Sequence, residues 1–438
     1  MYLSIAEWRE RRAEDKSSLA TSVTFKASPT VIALGVVSLL TDISSESVAA
    51  VLPLYITGAL GLSMVAYGLF EGMHQSISAI VRIGAGYTAD RTNRPKPVAV
   101  GGYGLSMLAR IGLLFATGFA GITAVIGLDR IGKGIRTAPR DAMIQQASQP
   151  QHLARSFGLH RMLDTVGATL GPLLAFVVLA LVPEGYRVVF VVSLAAAVLG
   201  MAVLTLLVPN RPLHGNGSGI DQHSAYPAPA TRRNKMSRTP RPKLRDLTRD
   251  GLGRVLISAG LLGLLTVGDG FVYLALMSHG NLDIFWFPLL FVGANAVFLL
   301  LAVPLGKLAD RTSRWKLFAC GHLFLALAYL CAAFGGSTSM VLLTLALIGI
   351  FYAATDGVLA ALAGQLSPAG STSTGIGAAQ TVTALSRLVS ATTFGLLWVL
   401  VGPSKALLGV ALILVLLVPI AWFLLRGVAS HTERLVTE

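Results

Sequence analysis

The sequence is poor in charged residues and in cysteine, and these shortages exclude several classes of protein. Charged residues make up 13% of the 438 positions, whereas 54% are hydrophobic and the mean hydropathy is +0.69. A water-soluble domain of this length would have too little polar surface to cover itself. The composition therefore predicts an integral membrane protein.

Motifs for an ATP-driven pump, a metal site or a nucleophilic enzyme are also missing. No G-x-x-x-x-G-K-[ST] loop occurs, and residues 132–134 (GKG) lie in an apolar run rather than in a phosphate-binding loop. No His/Cys cluster has metal-ligand spacing, and no nucleophile–base signature is present. We therefore expect no cofactor, no metal and no enzymatic activity.

The two cysteines, Cys320 and Cys331, fall in one predicted helix. They lie about 16 Å apart at 1.5 Å per residue, too far to form a disulfide with each other. Residues 1–30 mix acidic and basic side chains, so no separable signal peptide is expected. The first helix is expected to be its own insertion signal.

Apolar runs of about 20 residues or more, each able to cross a bilayer core of about 30 Å, recur along the whole chain. They predict an all-α membrane fold with twelve spans, six in each half. The expected spans are 31–59, 64–88, 97–119, 121–146, 156–182, 187–208, 253–279, 284–306, 316–335, 339–364, 374–401 and 404–425. The predicted domains are a segment 1–30, a bundle 31–208, a basic linker 209–252, a bundle 253–425 and a tail 426–438.

One motif occurs twice, as GYTADRTNRPK at 86–96 and as GKLADRTSRWK at 306–316. Seven of the eleven positions are identical, and the period is 220 residues. Each copy stands where an apolar run ends in a basic turn, as at the end of a membrane helix. Two parallel halves in a hydrophobic chain are typical of a secondary transporter.

The formal net charge of +14 arises from basic residues that cluster in alternate loops and in the linker. The positive-inside rule then places both termini and the linker in the cytoplasm. Because this loop pattern accounts for the charge, we expect no nucleic-acid partner. The expected location is the bacterial cytoplasmic membrane.

This topology predicts which of two single-cysteine probes can be labelled from outside intact cells. With Cys320 and Cys331 replaced, Gly280→Cys should react with a membrane-impermeant maleimide, whereas Ala225→Cys in the linker should react only after lysis. Strong labelling of the linker probe in intact cells would contradict the arrangement.

Three motifs resemble signatures of the major facilitator superfamily. The first copy of the repeat, with Gly86, Ala89, Asp90, Arg91, Arg94 and Lys96, is similar to G-x-L-A-D-R-x-G-R-K, although Thr88 replaces Leu and Asn93 with Pro95 alters the turn. Residues 130–134 (RIGKG) are similar to R-x-x-Q-G, with Lys133 in place of Gln. Gly158, Gly167, Gly171 and Pro172 match a spacing associated with exporters of the family, whose closing Gly-Gly is Ala175–Phe176 here.

The resemblance implies conformational roles for the repeated motif and its flanks. Asp90 would meet the start of the eleventh helix near 371–374, and Asp310 would face the start of the fifth. These contacts would hold the cytoplasmic side shut in the outward-facing state. Gly167, Gly171 and Pro172 would form a close, kinkable helix contact where the two halves rock. The remaining expected gating residues are Arg91, Arg94, Asp141, Arg311, Arg314 and Asp356. An alternative for the loop charges is that they only set topology.

Ionisable residues inside the spans are costly, at about 2.5–3.5 kcal/mol each at the bilayer centre, and mark the candidate functional positions. Asp42 and Glu46 share one face of the first helix, and two carboxylates in a desolvated site cannot both stay ionised cheaply. We expect proton coupling at Asp42, Glu46, Glu71 and Arg130, with Arg130 within reach of the first two. Pairing of these acids with basic neighbours is the structural alternative.

The expected substrate cavity includes Lys133, Arg136, Asp269 and His74. Asp269 stands between Gly268 and Gly270, a spacing that predicts a break in the seventh helix facing the cavity. Arg110 and Arg82 are expected to pair with buried carboxylates, and Arg161 with Asp164.

The sequence therefore predicts a monomeric, proton-coupled exporter of a small amphiphilic drug or metabolite that works by rocking-bundle alternating access. Its partners would be the substrate, protons and the lipid bilayer. Two alternatives stay open, an organic-anion transporter or exchanger using Arg130, Lys133 and Arg136, and a lipid flippase on the same fold.

Overall fold

The computed structural model describes residues 28–92, 95–148, 153–210, 251–279, 282–367 and 372–437. Those residues contain thirteen α-helices and no strand. In the first half they are α1 (Pro29–Leu54, continued by a π turn Tyr55–Ala59), α2 (Met64–Thr92), α3 (Pro95–Phe115), α4 (Gly118–Gln146), α5 (Leu153–Leu181) and α6 (Tyr186–Leu207). In the second half they are α7a (Leu252–Gly263), α7b (Asp269–Ser278), α8 (Phe287–Arg311, preceded by a 3-10 turn Ile284–Trp286), α9 (Arg314–Phe334), α10 (Thr338–Gln365), α11 (Thr372–Val401) and α12 (Pro403–Thr437).

Helix ends follow local sequence signals. Pro29 and Pro403 open α1 and α12, where a missing N–H costs nothing. Ser337 caps α10 by accepting a hydrogen bond from the N–H of Met340. Gly118 and Gly402 adopt positive φ at two tight turns between helices, a conformation that suits glycine.

Nine helices of the described chain are long and apolar enough to cross a membrane. The other helices that match predicted spans are α2, α4 and the pair α7a/α7b. Helix α4 carries a charged stripe that lowers its mean hydropathy, and the seventh span is interrupted at residues 264–268. The break beside Asp269 lies where the glycines predicted it. The count of twelve spans stays a prediction.

The helices form two bundles, α1–α6 and α7–α12. The closest pairs within them include α1 with α5 and α3 with α4 in the first half, and α9 with α10 and α8 with α10 in the second. Between the halves, α2 packs on α11 and α5 packs on α8. The two interface pairs are equivalent under the 220-residue repeat.

The halves meet tightly at the end that carries the α1–α2 and α5–α6 turns, which we call the closed end. Gly68 of α2 packs directly on the backbone of Ala391 and Thr392 in α11. Phe176 of α5 stacks against Trp286, with ring centroids 5.6 Å apart. If the predicted topology holds, the closed end faces outward and the conformation is inward-facing.

Two expectations about helices differ from the structure. The twelfth helix is longer than the predicted span 404–425, since α12 continues without a break through the predicted tail to Thr437. The predicted contact of Gly167 and Gly171 between the halves is wrong, because both glycines face α1 of their own half, against Leu39 and Ser47. Small residues there let α1 and α5 approach closely, and Pro172 lies buried in the same helix.

Candidate functional site

A cavity of about 300 Å³ lies between the two halves. Helices α1 and α2 line it from one side, and α7b, α8, α10 and α11 line it from the other. Its walls combine ionisable groups with aromatic rings. The ionisable lining residues are Glu46, Glu71, His74, Asp269, Asp356 and Arg387, and the aromatic ones include Tyr67, Tyr273, Phe291, Phe298 and Tyr352.

Asp269 reaches this cavity because the break before α7b exposes the start of that helix. Tyr352 of α10 donates its hydroxyl hydrogen to Asp269 Oδ1 at 2.9 Å. Glu71 of α2 packs against the neighbouring Gly268 and accepts a long hydrogen bond of 3.4 Å from Tyr67. The two acids therefore come from different halves and face one cavity.

Glu46 has a different partner from the one the sequence predicted. Its Oε1 lies 3.8 Å from Lys133 Nζ, and both side chains are about 30% exposed. The expectation that Arg130 reaches Asp42 and Glu46 is wrong, because Arg130 is turned to its own neighbour Asp129 on α4. Lys133, and not Arg130, is thus the basic residue that pairs with Glu46.

A buried ion cluster stands behind the cavity wall in the first half. Arg110 Nη2 lies 3.2 Å from Asp129 Oδ2, and Arg130 binds the same oxygen. Arg110 also donates to Ser44 Oγ at 3.3 Å. All three charged side chains are nearly inaccessible, so mutual pairing repays part of their desolvation. Arg110 is the partner of a buried carboxylate, as predicted.

Arg136 and His74 occupy separate positions around this cluster. Arg136 is buried with its guanidinium 4.7 Å from the centre of the Tyr103 ring, a cation–π contact. Neither Arg136 nor Lys133 is among the residues that line the central cavity, contrary to the prediction. His74 does line it, and it also borders a small pocket that reaches Arg110, Asp129 and Arg130.

Asp42 lies in the seam between α1 and α5 and is almost fully buried. The carboxyl group of Asp164 on α5 lies close enough to interact with it electrostatically. Ser38 donates to Asp164 at 2.6 Å. Arg140 Nη1 and Arg161 Nη1 approach Asp164 at 3.8 and 3.3 Å, so the predicted Arg161–Asp164 pair is present.

The predicted gating residues are divided by the structure. Arg140 forms an ion pair with Asp141 at 3.0 Å, and Arg314 donates to Gln365 of α10 at 3.2 Å. Arg311 is exposed at the end of α8. Asp356, which was expected at a gate, lines the central cavity from α10. Asp90, Arg91, Asp310 and Arg82 have side chains outside the described set, and Arg94 lies outside it entirely.

Two side chains that the sequence does not single out, Tyr352 and Tyr67, organise the cavity. Tyr352 holds Asp269 by its hydroxyl, and its ring lies 5.9 Å from the Arg387 guanidinium. Tyr67 reaches Glu71 and packs on Phe271 with ring centroids 4.7 Å apart. Their spacing from embedded acids could have indicated them. Tyr352 precedes Asp356 by four residues and Tyr67 precedes Glu71 by four, so each tyrosine shares a helix face with an acid.

Comparisons with known proteins bear on the fold and the family. A family model described as Major Facilitator Superfamily matches residues 34–391 and, in a second match, 287–436. An uncharacterized MFS-type transporter of Methanocaldococcus jannaschii is 30% identical over 379 residues, which cover 85% of this chain and 89% of that protein. An uncharacterized protein of Mycobacterium tuberculosis is 30% identical over 158 residues, 36% of this chain and 38% of its own.

Several solved transporters share the fold at low sequence identity. A POT family transporter in complex with 5-aminolevulinic acid has a TM-score of 0.73 at 14% identity, covering 92% of this chain and 98% of its own. A nucleoside transporter has a TM-score of 0.74 at 14% identity, with coverages of 90% and 99%. A bacterial homolog of the human lysosomal transporter Spinster, in an inward-facing conformation, has a TM-score of 0.73 at 15% identity, with coverages of 92% and 97%. By its motifs, its paired bundles and its relatives, the chain belongs to the major facilitator superfamily and is a membrane transporter.

Proposed function

We propose that the protein is a proton-coupled exporter of a small amphiphilic compound that carries a positive charge, in the bacterial cytoplasmic membrane. The observation that carries the substrate class is the charge of the cavity wall, where Glu46, Glu71, Asp269 and Asp356 face a single arginine, Arg387. Aromatic rings around these acids suit an organic cation by cation–π contact. The lining is therefore complementary to a cationic or zwitterionic amphiphile.

The organic-anion alternative loses support from the placement of the basic residues. Of the three cations it required, Arg130 and Arg136 are buried away from the cavity, and Lys133 is paired with Glu46. An anion in the cavity would meet four carboxylates. The anion and the carboxylates would repel each other, and more strongly where water is scarce.

Proton coupling is supported by acids that occupy both halves of one cavity. A carboxyl group carries a proton through the cycle only when its surroundings differ between the two facing states. Glu46, Glu71 and Asp269 meet that condition, since rocking of the halves changes their distance from the opposite wall. Export, rather than uptake, is supported by the α5 glycine spacing that resembles exporters of the family.

The test is proton flux in proteoliposomes that enclose a pH-sensitive dye. Small aromatic amines and zwitterionic aromatic amino acids should release protons in exchange when added to protein-containing vesicles under an imposed gradient. Aromatic carboxylic acids of the same size should not. Protein-free vesicles are the control. A response to the acids alone, or transfer of a fluorescent lipid with no proton flux, would contradict the proposal in favour of the anion or the flippase alternative.

A further inference from the structure

Arg387 of α11 forms no ion pair with a carboxylate of the described residues, unlike the cations Arg110, Arg130 and Arg140 of the first half. Its Nε atom is buried without a hydrogen-bond partner, and none of the ion pairs among the described residues includes it. By contrast, Arg110, Arg130, Lys133, Arg140 and Arg161 each contact a carboxylate. A guanidinium nitrogen buried without a hydrogen-bond partner is costly, so this group calls for a ligand at some point in its working cycle.

Tyr352 explains why the nearby acid Asp269 does not neutralise Arg387. The tyrosine hydroxyl holds Asp269 at 2.9 Å, while the face of the same ring carries the guanidinium at 5.9 Å from its centroid. The ring thus stands between a fixed negative group and a fixed positive group. Asp269 and Arg387, held apart by the rigid ring of Tyr352, are complementary to a ligand that carries both a positive and a negative charge.

The ligand of Arg387 must approach from the central cavity. On its other side Arg387 borders a side pocket of about 30 Å³ that is lined by Thr266, Thr355, Thr383 and the carboxylate Asp356. These threonine hydroxyls already donate to carbonyls of their own helices, at 3.0, 2.8 and 2.9 Å. The side pocket therefore presents hydroxyl lone pairs and a carboxylate, both of which repel an anion.

We propose that Arg387 binds the anionic group of a zwitterionic substrate whose cationic group is bound by Asp269 and Glu71. This inference rests on the proposed transport function and narrows its substrate class from amphiphilic cations to amphiphilic zwitterions. Tyr352 sets the spacing of the two charges. Arg387 is then the residue that distinguishes an amino acid-like compound from the amine that lacks its carboxylate.

The test compares ligands that differ only in charge, on two aromatic scaffolds. Tryptophan, tryptamine and indole-3-propionate form one set, and phenylalanine, phenethylamine and 3-phenylpropionate form the other. Affinities for the full-length protein in detergent come from ligand-induced thermal shifts, without any proton gradient. On at least one scaffold the amino acid should bind roughly tenfold more tightly than the amine, as a charge-assisted hydrogen bond predicts.

Variants at Arg387 make the result specific. Arg387→Gln should remove the preference for the amino acid while leaving amine binding unchanged or stronger, and Arg387→Lys should retain part of it. Retained amine binding also shows that the Arg387→Gln protein is folded. Arg254→Gln is the matched control, since Arg254 is exposed on α7a. Two results would overturn the inference. One is that the wild type binds the amino acid no more tightly than the amine, and the other is that Arg387→Gln loses the binding of both equally.

The outcomes separate this inference from the proposed function. Absence of proton flux with every compound contradicts proton-coupled export, whatever the binding measurements give. Proton flux with amines as strong as with amino acids supports export and overturns the zwitterion assignment.

Discussion

Gradient-driven accumulation of substrate is expected to disappear when Asp42→Asn and Glu46→Gln are combined, while exchange of substrate down its own gradient persists. An imposed difference of about one pH unit supports roughly tenfold accumulation for one proton per substrate. The double variant should accumulate none. The measurement is uptake of labelled substrate into everted vesicles or proteoliposomes, with counterflow measured in parallel without a pH gradient.

The physical reason is the position of the two carboxyl groups around Lys133. Glu46 faces the cavity and lies 3.8 Å from the lysine ammonium, whereas Asp42 lies one turn away and is almost fully buried. Protonation of Glu46 would weaken its attraction to Lys133 and change the charge that the substrate meets. An amide cannot take up or release that proton, so the conformational change would no longer be linked to the gradient.

Asp283→Asn is the control for this experiment, because Asp283 is an exposed carboxylate outside the cavity. It should accumulate substrate like the wild type. If the double amide variant also does so, Asp42 and Glu46 are not the obligatory proton carriers. Glu71 and Asp269, the acids that face each other across the two halves, would then be the residues to replace.

The helices were largely predictable because an apolar run long enough to cross a bilayer has few alternatives to a helix. The sequence placed α1, α6 and α10 within a few residues of their observed ends. It also located the break in the seventh helix, because glycine on both sides of an embedded aspartate is hard to reconcile with a continuous span. The extension of α12 to Thr437 is not predictable from apolar runs, since the chain becomes polar after 426.

The contacts inside the site were less predictable, because helical periodicity gives the face of a residue and not its neighbour on another helix. Asp42, Glu46 and Lys133 were recognised as embedded charges, but the partner of Glu46 depends on how α1 and α4 pack. Arg130 was assigned a distant carboxylate although Asp129 adjoins it in sequence. Arg387 and Tyr352 meet only because α10 and α11 pack together, which no local pattern encodes.

A contact between the two halves admits no side chain at Gly270, and its disruption gives the second large expected effect. A Cβ atom at Gly270 would overlap the hydroxyl group of Tyr67 and lie 3.1 Å from Pro53 Cγ. Tyr67 is fully buried and packs on Phe271, so its ring has little room to move. Gly270→Ala should therefore destabilise the conformation in which α7b meets α1 and α2.

Overpacking of this kind costs about 1–3 kcal/mol, which corresponds to a roughly 5- to 150-fold shift in the ratio of two conformations. The measurement is the distance distribution between spin labels at Ala59→Cys and Asp283→Cys, exposed positions at the closed end of opposite halves. Cys320 and Cys331 are replaced in this background. A population with a longer distance should grow in Gly270→Ala.

Two further variants show whether the effect comes from this contact. Gly409→Ala lies in α12, where a Cβ meets nothing within 4 Å, so it should gain the helix preference of alanine without opening the closed end. Tyr67→Phe removes the overlapping hydroxyl group and should restore the closed distances when combined with Gly270→Ala. If Gly270→Ala and Gly409→Ala give the same distance distribution, the Tyr67–Gly270 contact does not hold the closed end together, and the α2–α11 packing at Gly68 must do so without it.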